Sequence, residues 1–213
     1  MAQTKVDLYN RTLVHLGVNP NIESESEDTK KRIVLDASYN SARKHVLKQH
    51  DWSCAKEYFT LVEVGTPPAS WAKQYKWPND MLKPRYLERK NRKSTEIPFT
   101  TATYSDADNG RIKVIQTDLS NAVMVGTYNL EEVNDFTIEL FEGIAAYLAF
   151  LSSHQFTDSS QIKQQAFNFF ENMVGMGAQM DANAEAQDEE QSSPWHRARD
   201  YDVDPYPEVI RGT

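Results

Sequence analysis

Apolar residues recur every three to four positions at the start of the chain: Val6, Tyr9, Leu13 and Leu16, with Gly17 directly after them. That spacing lines one helix face and a glycine past the last periodic residue ends it, so a first helix is predicted over residues 4–16. After Asn19-Pro20, the stretch Ser24-Glu-Ser-Glu-Asp28 offers capping side chains and acidic charge for a second helix over 28–50. Ile33, Ala37, Asn40, Lys44 and Leu47 form one row along it, and Val34, Tyr39, Val46 and Trp52 broaden its apolar side. The period then changes. Tyr58, Phe59, Leu61, Val62 and Val64 make Cys54 to Val64 strand-like, and Gly65-Thr-Pro-Pro68 closes the run.

Short strands and turns continue to Tyr128, at about 85–88, 97–101, 101–104, 111–116 and 122–128. Asn109-Gly110 ahead of Ile112, Val114 and Ile115 is a hairpin signal. Helical character returns at Asn134-Asp135, an N-cap candidate, and residues 135–153 are apolar nearly all round, which predicts a central buried helix. Thr157-Asp-Ser-Ser160 caps a fourth helix over 157–180, with Ile162, Ala166, Phe169, Phe170, Met173 and Val174 inward and the glycine-spaced Gly175-Met-Gly177-Ala at its end. Residues 182–190 remain rich in helix formers, so this helix either runs on or frays into a C-terminal arm. The expected class is mainly α within α+β: a four-helix bundle, a β-rich insertion over 54–128 between helices two and three, and an extended C-terminal arm. One domain is expected over residues 1–180 and the arm over 181–213; no internal repeat is present.

Charge sharpens the picture of the arm. The chain of 213 residues has a net charge of −8, and residues 181–213 hold nine acidic and three basic residues, so −6 of it lies there. Within this acidic tract, Ser193-Pro-Trp195-His-Arg197-Ala-Arg199-Asp-Tyr201 and Pro205-Tyr206-Pro207 set aromatics and arginines among prolines. Such side chains are worth exposing only where a partner buries them. The balance argues against tight duplex binding as the main activity. One basic cluster runs the other way: Lys83, Arg85, Arg89, Lys90, Arg92 and Lys93, broken among the charges only by Glu88. Its simpler reading is a solvated loop or an intersubunit salt-bridge face, and the sharper one a phosphate site.

The single cysteine, Cys54, excludes an internal disulfide framework and suits a reducing compartment. The first residues hold no apolar run of signal-peptide length, and no stretch approaches the roughly 20 apolar residues of a membrane span. The expectation is a soluble protein that does not meet a membrane.

Signatures of chemistry are scarce. There is no glycine-rich phosphate loop, no Gly-x-Ser-x-Gly, no His-Glu-x-x-His and no Cys-x-x-Cys. His45, His50, Asp51 and Cys54 fall close together, but a five-residue step turns two helical side chains about 140° apart, so helix-end histidines are expected rather than a metal site. Glu131, Glu132 and Asp135 could supply the two carboxylates of a glycan hydrolase. Their simpler role is negative charge at the N-terminus of the third helix. Trp71, Tyr75 and Trp77, interleaved with Lys73 and Lys76, could stack on bases or sugars, although Trp77-Pro78 reads as an extended edge whose rings dock on the helices. No catalytic residue, cofactor or metal is expected.

In order along the chain, these features resemble the tail tubular protein A family of short-tailed bacteriophages. The matching residues are Leu13-Val-His-Leu16-Gly17 with Ile22-Glu-Ser24; Tyr39 through Arg43 to Leu47 with Trp52-Ser-Cys-Ala55; Trp71 through Tyr75, Trp77-Pro78-Asn79-Asp80 to Leu82; Tyr128 through Val133, Asp135-Phe136 and Leu140 to Ala149; and the ending Trp195-His-Arg-Ala-Arg199. The resemblance spans about the first 200 residues and implies a virion structural protein rather than an enzyme. It implies a head-to-tail adaptor forming a ring of twelve subunits, bound above to the portal protein and below to a tail nozzle protein similar to tail tubular protein B. DNA would pass through the enclosed channel without specific binding, and the protein would reside in the virion tail after assembly in the host cytoplasm. Set beside that implication, the arm is the expected portal anchor, through Trp195, Arg197, Arg199, Tyr201 and Tyr206. An acidic channel wall would let DNA slide where a basic one would hold it. Two other readings stay open: a tail-associated glycan hydrolase and a soluble interaction module.

Overall fold

Local capping signals start the fold. The computed structural model describes residues 3–88, 97–106 and 110–190, which form four α-helices and two three-stranded antiparallel sheets, an α+β architecture. Helix α1 spans Lys5–His15. The Thr4 hydroxyl accepts from the Asp7 N–H at 3.1 Å and the Asp7 carboxylate accepts from the Thr4 N–H at 3.0 Å, a reciprocal capping box. At the far end Gly17 takes φ 68°, the Val18 N–H reaches the Leu13 carbonyl at 2.9 Å, and the Gly17 N–H reaches that of Val14 at 3.0 Å. This left-handed cap would strain any side chain at position 17.

Helix α2 spans Lys30–Gln49 and is capped by Thr29, not by the acidic stretch before it. Its buried face is Leu35, Tyr39, Ala42, Arg43, Val46 and Leu47. Of the row expected inside, only Leu47 is buried: Ile33, Ala37, Asn40 and Lys44 are exposed. Burying that row would have taken Asn40 and Lys44 out of water without partners, whereas the observed row is apolar but for Arg43.

Helix α3 spans Ile138–Phe156, and ten of its residues are buried, which places it between α1 and α2 in the main core. Its cap is Thr137, whose hydroxyl accepts from the Leu140 N–H at 3.3 Å. The expected start at 135 is corrected, because Val133–Asp135 forms a 3-10 turn of its own. Helix α4 spans Ser160–Glu190, so it passes both glycines and the expected end at 180 and takes the alternative in which the helix runs on. A Cβ at Gly177 would lie 2.3 Å from the Trp52 ring, so this glycine serves close packing rather than termination. Phe170 joins the main core, while Ala166 and Ile162 pack with Leu16 and Ala149 in a smaller cluster. The chain to Ala178 is one compact unit, and a second begins at Gln179.

Between α2 and α3 lie β1 (Lys56–Thr60), β2 (Lys73–Lys76), β3 (Met81–Glu88), β4 (Phe99–Asp106), β5 (Gly110–Thr117) and β6 (Val123–Tyr128). They form two sheets, β1-β6-β3 and β2-β5-β4. The apolar run expected as one strand over 54–64 feeds both. Its first part pairs with β6; beyond Leu61, the Val64 N–H reaches the Gln74 carbonyl at 3.0 Å and the Lys76 N–H reaches that of Val62 at 2.8 Å. Leu61, at the crossing, sits with Tyr75, Met81, Leu87, Ile115 and Met124 in a core shared by both sheets. Tyr75 is fully buried there and donates its hydroxyl to the Leu119 carbonyl at 2.7 Å, and Trp77 donates its indole N–H to the Met81 carbonyl at 2.8 Å. Both rings therefore belong to the sheet core and not, as expected, to the helices, because β2 pairs with β5.

Candidate functional site

The five residues expected to anchor the arm, Trp195, Arg197, Arg199, Tyr201 and Tyr206, lie outside the described residues, as do Arg89, Lys90, Arg92 and Lys93 of the basic cluster. The two described cations of that cluster are tied to the fold. Lys83 Nζ lies 2.8 Å from the Asp51 carboxylate, and Arg85 donates to the Trp52 carbonyl at 2.7 Å and to the Thr127 hydroxyl at 3.0 Å. Together they fasten the exit of α2 to β3 and β6.

The residues near the end of α2 diverge. His45 stacks on Tyr147 of α3, with ring centroids 4.3 Å apart and planes 8° from parallel, and its Nε2 is 3.1 Å from Gln49 Nε2. Burial, helped by the Lys48 charge, lowers its pKa from the ordinary imidazole value. His50 instead meets Trp52 edge-on at 5.1 Å. Among the described residues, no group of three or more His, Cys, Asp or Glu side chains is placed to hold a metal ion.

The carboxylates ahead of α3 are also separated by role. Arg43, its side chain 1 % exposed, donates to the Leu130 carbonyl and sets Nη2 3.1 Å from Glu131. A buried guanidinium demands a counter-ion, and Glu131, which also accepts from Asn129 at 2.9 Å, fills that place. Glu132 precedes the 3-10 turn and Asp135 closes it, while the acid in the first turn of α3 is Glu139. The dipole role expected for the three acids falls to Glu139 because the helix starts later. Arg43 itself was missed; the available signal was its position four residues after Tyr39 on the face that α2 buries.

What the structure brings together instead is a groove of about 640 Å³ where α2, α3 and α4 meet. Tyr147, Phe167, Phe170, Val174 and Gly175 make its apolar wall, and His45, Gln49 and Glu171 its polar rim. Tyr147 and Phe170 lie 4.9 Å apart and Phe167 and Phe170 5.9 Å, so the wall is a continuous aromatic layer. None of the lining residues is serine, threonine or cysteine, so among them His45 has no such nucleophile to activate.

On the side where α1 meets α3, Glu142 accepts from Arg11 Nε at 2.8 Å and lies 3.4 Å from His15 Nε2. Burial pushes its pKa up, but the hydrogen bonds from His15 and Arg11 outweigh that and hold it below the usual carboxylate range. Asp36, bonded by Lys5 at 2.8 Å and by the Tyr9 hydroxyl at 2.7 Å, is lowered for the same reason. Among the described residues no helix is long and apolar enough to cross a membrane. No family model matches the chain, and no curated protein is significantly similar to it.

Proposed function

We propose that the chain is a virion structural protein, a head-to-tail adaptor that forms a ring on the portal, links it to the tail nozzle and encloses the DNA ejection channel. The observation that carries this reading is that the motifs resembling tail tubular protein A fall at positions the fold depends on. Gly17 forms the left-handed cap of α1, Trp52 is keyed against Gly177, Trp77 is bonded to Met81, and Leu140 to Ala149 form the buried heart of α3. In this reading α1, α2, α3 and the first half of α4 act as a four-helix bundle, with the six strands as its insertion. The C-terminal arm is the portal anchor. Trp195, Tyr201 and Tyr206 serve as hydrophobic plugs, and Arg197 and Arg199 as planar donors to portal carboxylates.

Truncation after Glu190, the last residue of α4, tests the anchor. The truncated protein should unfold at the same temperature as the full chain and lose at least about tenfold in affinity for portal-containing particles, a loss of about 1.4 kcal/mol. Equal binding of the two proteins would overturn the role of the arm.

A further inference from the structure

The sheet β1-β6-β3 turns one face to the second sheet and leaves the other partly bare. Phe59, Met124 and Leu87 are cross-strand partners, and all three side chains enter the core shared by the sheets. The next row is Tyr58, Val125 and Tyr86. Side chains alternate along a strand and cross-strand partners share a face, so this row points the opposite way. Val125 is fully buried, yet Tyr58 on one side of it is 53 % exposed and Tyr86 on the other 44 %. Two strand spacings set the backbones that carry the two tyrosines about 10 Å apart, one on each side of this shelf.

The charges on this face lean positive. Lys56, two residues before Tyr58 and on the same face, places Nζ 5.8 Å from the Tyr86 ring centroid. Arg85 and Lys83 lie beyond and are partnered by Asp51, and the row Thr60, Val123 and Glu88 contributes one acid. In sequence the chain leaves β3 through Arg89, Lys90, Arg92 and Lys93, the densest basic run of a protein whose net charge is −8.

We propose that this shelf binds single-stranded nucleic acid without sequence preference, with bases stacking on Tyr58 and Tyr86 and Lys56 beside the phosphate backbone. Every base offers a π-face, so paired aromatic rings flanked by cations bind single strands whatever their sequence. A protein partner fits less well, because lysine is depleted at protein interfaces and one stands against the Tyr86 ring. The proposal is independent of the adaptor reading.

The test is fluorescence anisotropy of a labelled oligothymidylate of about twelve nucleotides in low salt, with inorganic polyphosphate as competitor. The full chain should bind. A Tyr58→Leu/Tyr86→Leu variant, which keeps Val125 covered, should retain its unfolding temperature and bind at least about tenfold more weakly. Lys56→Gln should flatten the salt dependence by about one phosphate contact. Absence of binding by the full chain would overturn the proposal, as would unchanged affinity in the double variant. Displacement by polyphosphate that is as effective as by unlabelled oligonucleotide would reduce the interaction to charge and also overturn it. If the full chain ignores the oligonucleotide and the double variant instead loses self-association on sizing, the shelf is a protein interface.

Discussion

In the helical layer Trp52 is 1 % exposed and donates its indole N–H to the Val46 carbonyl at 3.0 Å, with Gly177 closing over its ring. Tyr147, Phe150, Phe167 and Phe170 pack ring against ring nearby. On the outer face of the first sheet, by contrast, Tyr58 and Tyr86 remain about half exposed. The two regions spend the same residue type differently: helical aromatics hold elements together, whereas Tyr58 and Tyr86 on the sheet stay open to solvent. Stability should therefore follow the helices and binding the sheet surface.

The largest expected effect tests the first half of that contrast. Trp52→Ala removes a buried indole from the junction of α2 and α4 and should cost about 3–5 kcal/mol in urea unfolding. Next comes Gly177→Ala, which drives a methyl into the Trp52 ring and should cost about 1–3 kcal/mol. In the Gly177→Ala/Trp52→Leu double variant the two losses should fall well short of additive, since the smaller side chain admits the methyl. Full additivity would mean that the glycine matters for some reason other than Trp52.

Much of the helical layer was legible because its signals are local. The Gly17 cap, the apolar sweep of α3 and the serine-rich entry to α4 each lie within a few residues of the structure they set. The misreadings came where a distant contact decided between local options. Asp135 and Thr137 are both acceptable caps, and the 3-10 turn at Val133 selects the second. Gly177 looks like a terminator until Trp52, far away in sequence, is seen against it. The side of α2 that turns inward depends on Arg43 finding the Leu130 carbonyl and Glu131. Of the candidate site, the five arm residues lie outside the described residues, and the pairing of Tyr58 with Tyr86 was not legible, since they meet only through the register of β6.

A smaller effect concerns the ion cluster where α1 meets α3. Glu142 has a folded pKa below its unfolded value, so its contribution is complete above the ordinary carboxylate range near pH 4 and is lost as pH falls through the lowered folded value. Glu142→Gln should cost about 1–2 kcal/mol at neutral pH and flatten the acid limb of stability against pH, read from urea midpoints. A parallel acid limb would show that Glu142 is not among the groups responsible. The smallest expected effect completes the contrast. Tyr58→Leu or Tyr86→Leu alone should change stability by no more than about 0.5 kcal/mol, and a loss comparable to that of Trp52→Ala would erase the distinction between the two layers.

The central claim is that this chain builds the junction between a phage head and its tail. Oligomerisation on a template can be absent from the free protein, so the measurement must include the partner. The most direct one is electron microscopy of the purified full chain mixed with portal-containing particles. An added ring of density below the portal, absent without the chain, is the result expected; bare portals at saturating protein would contradict the account.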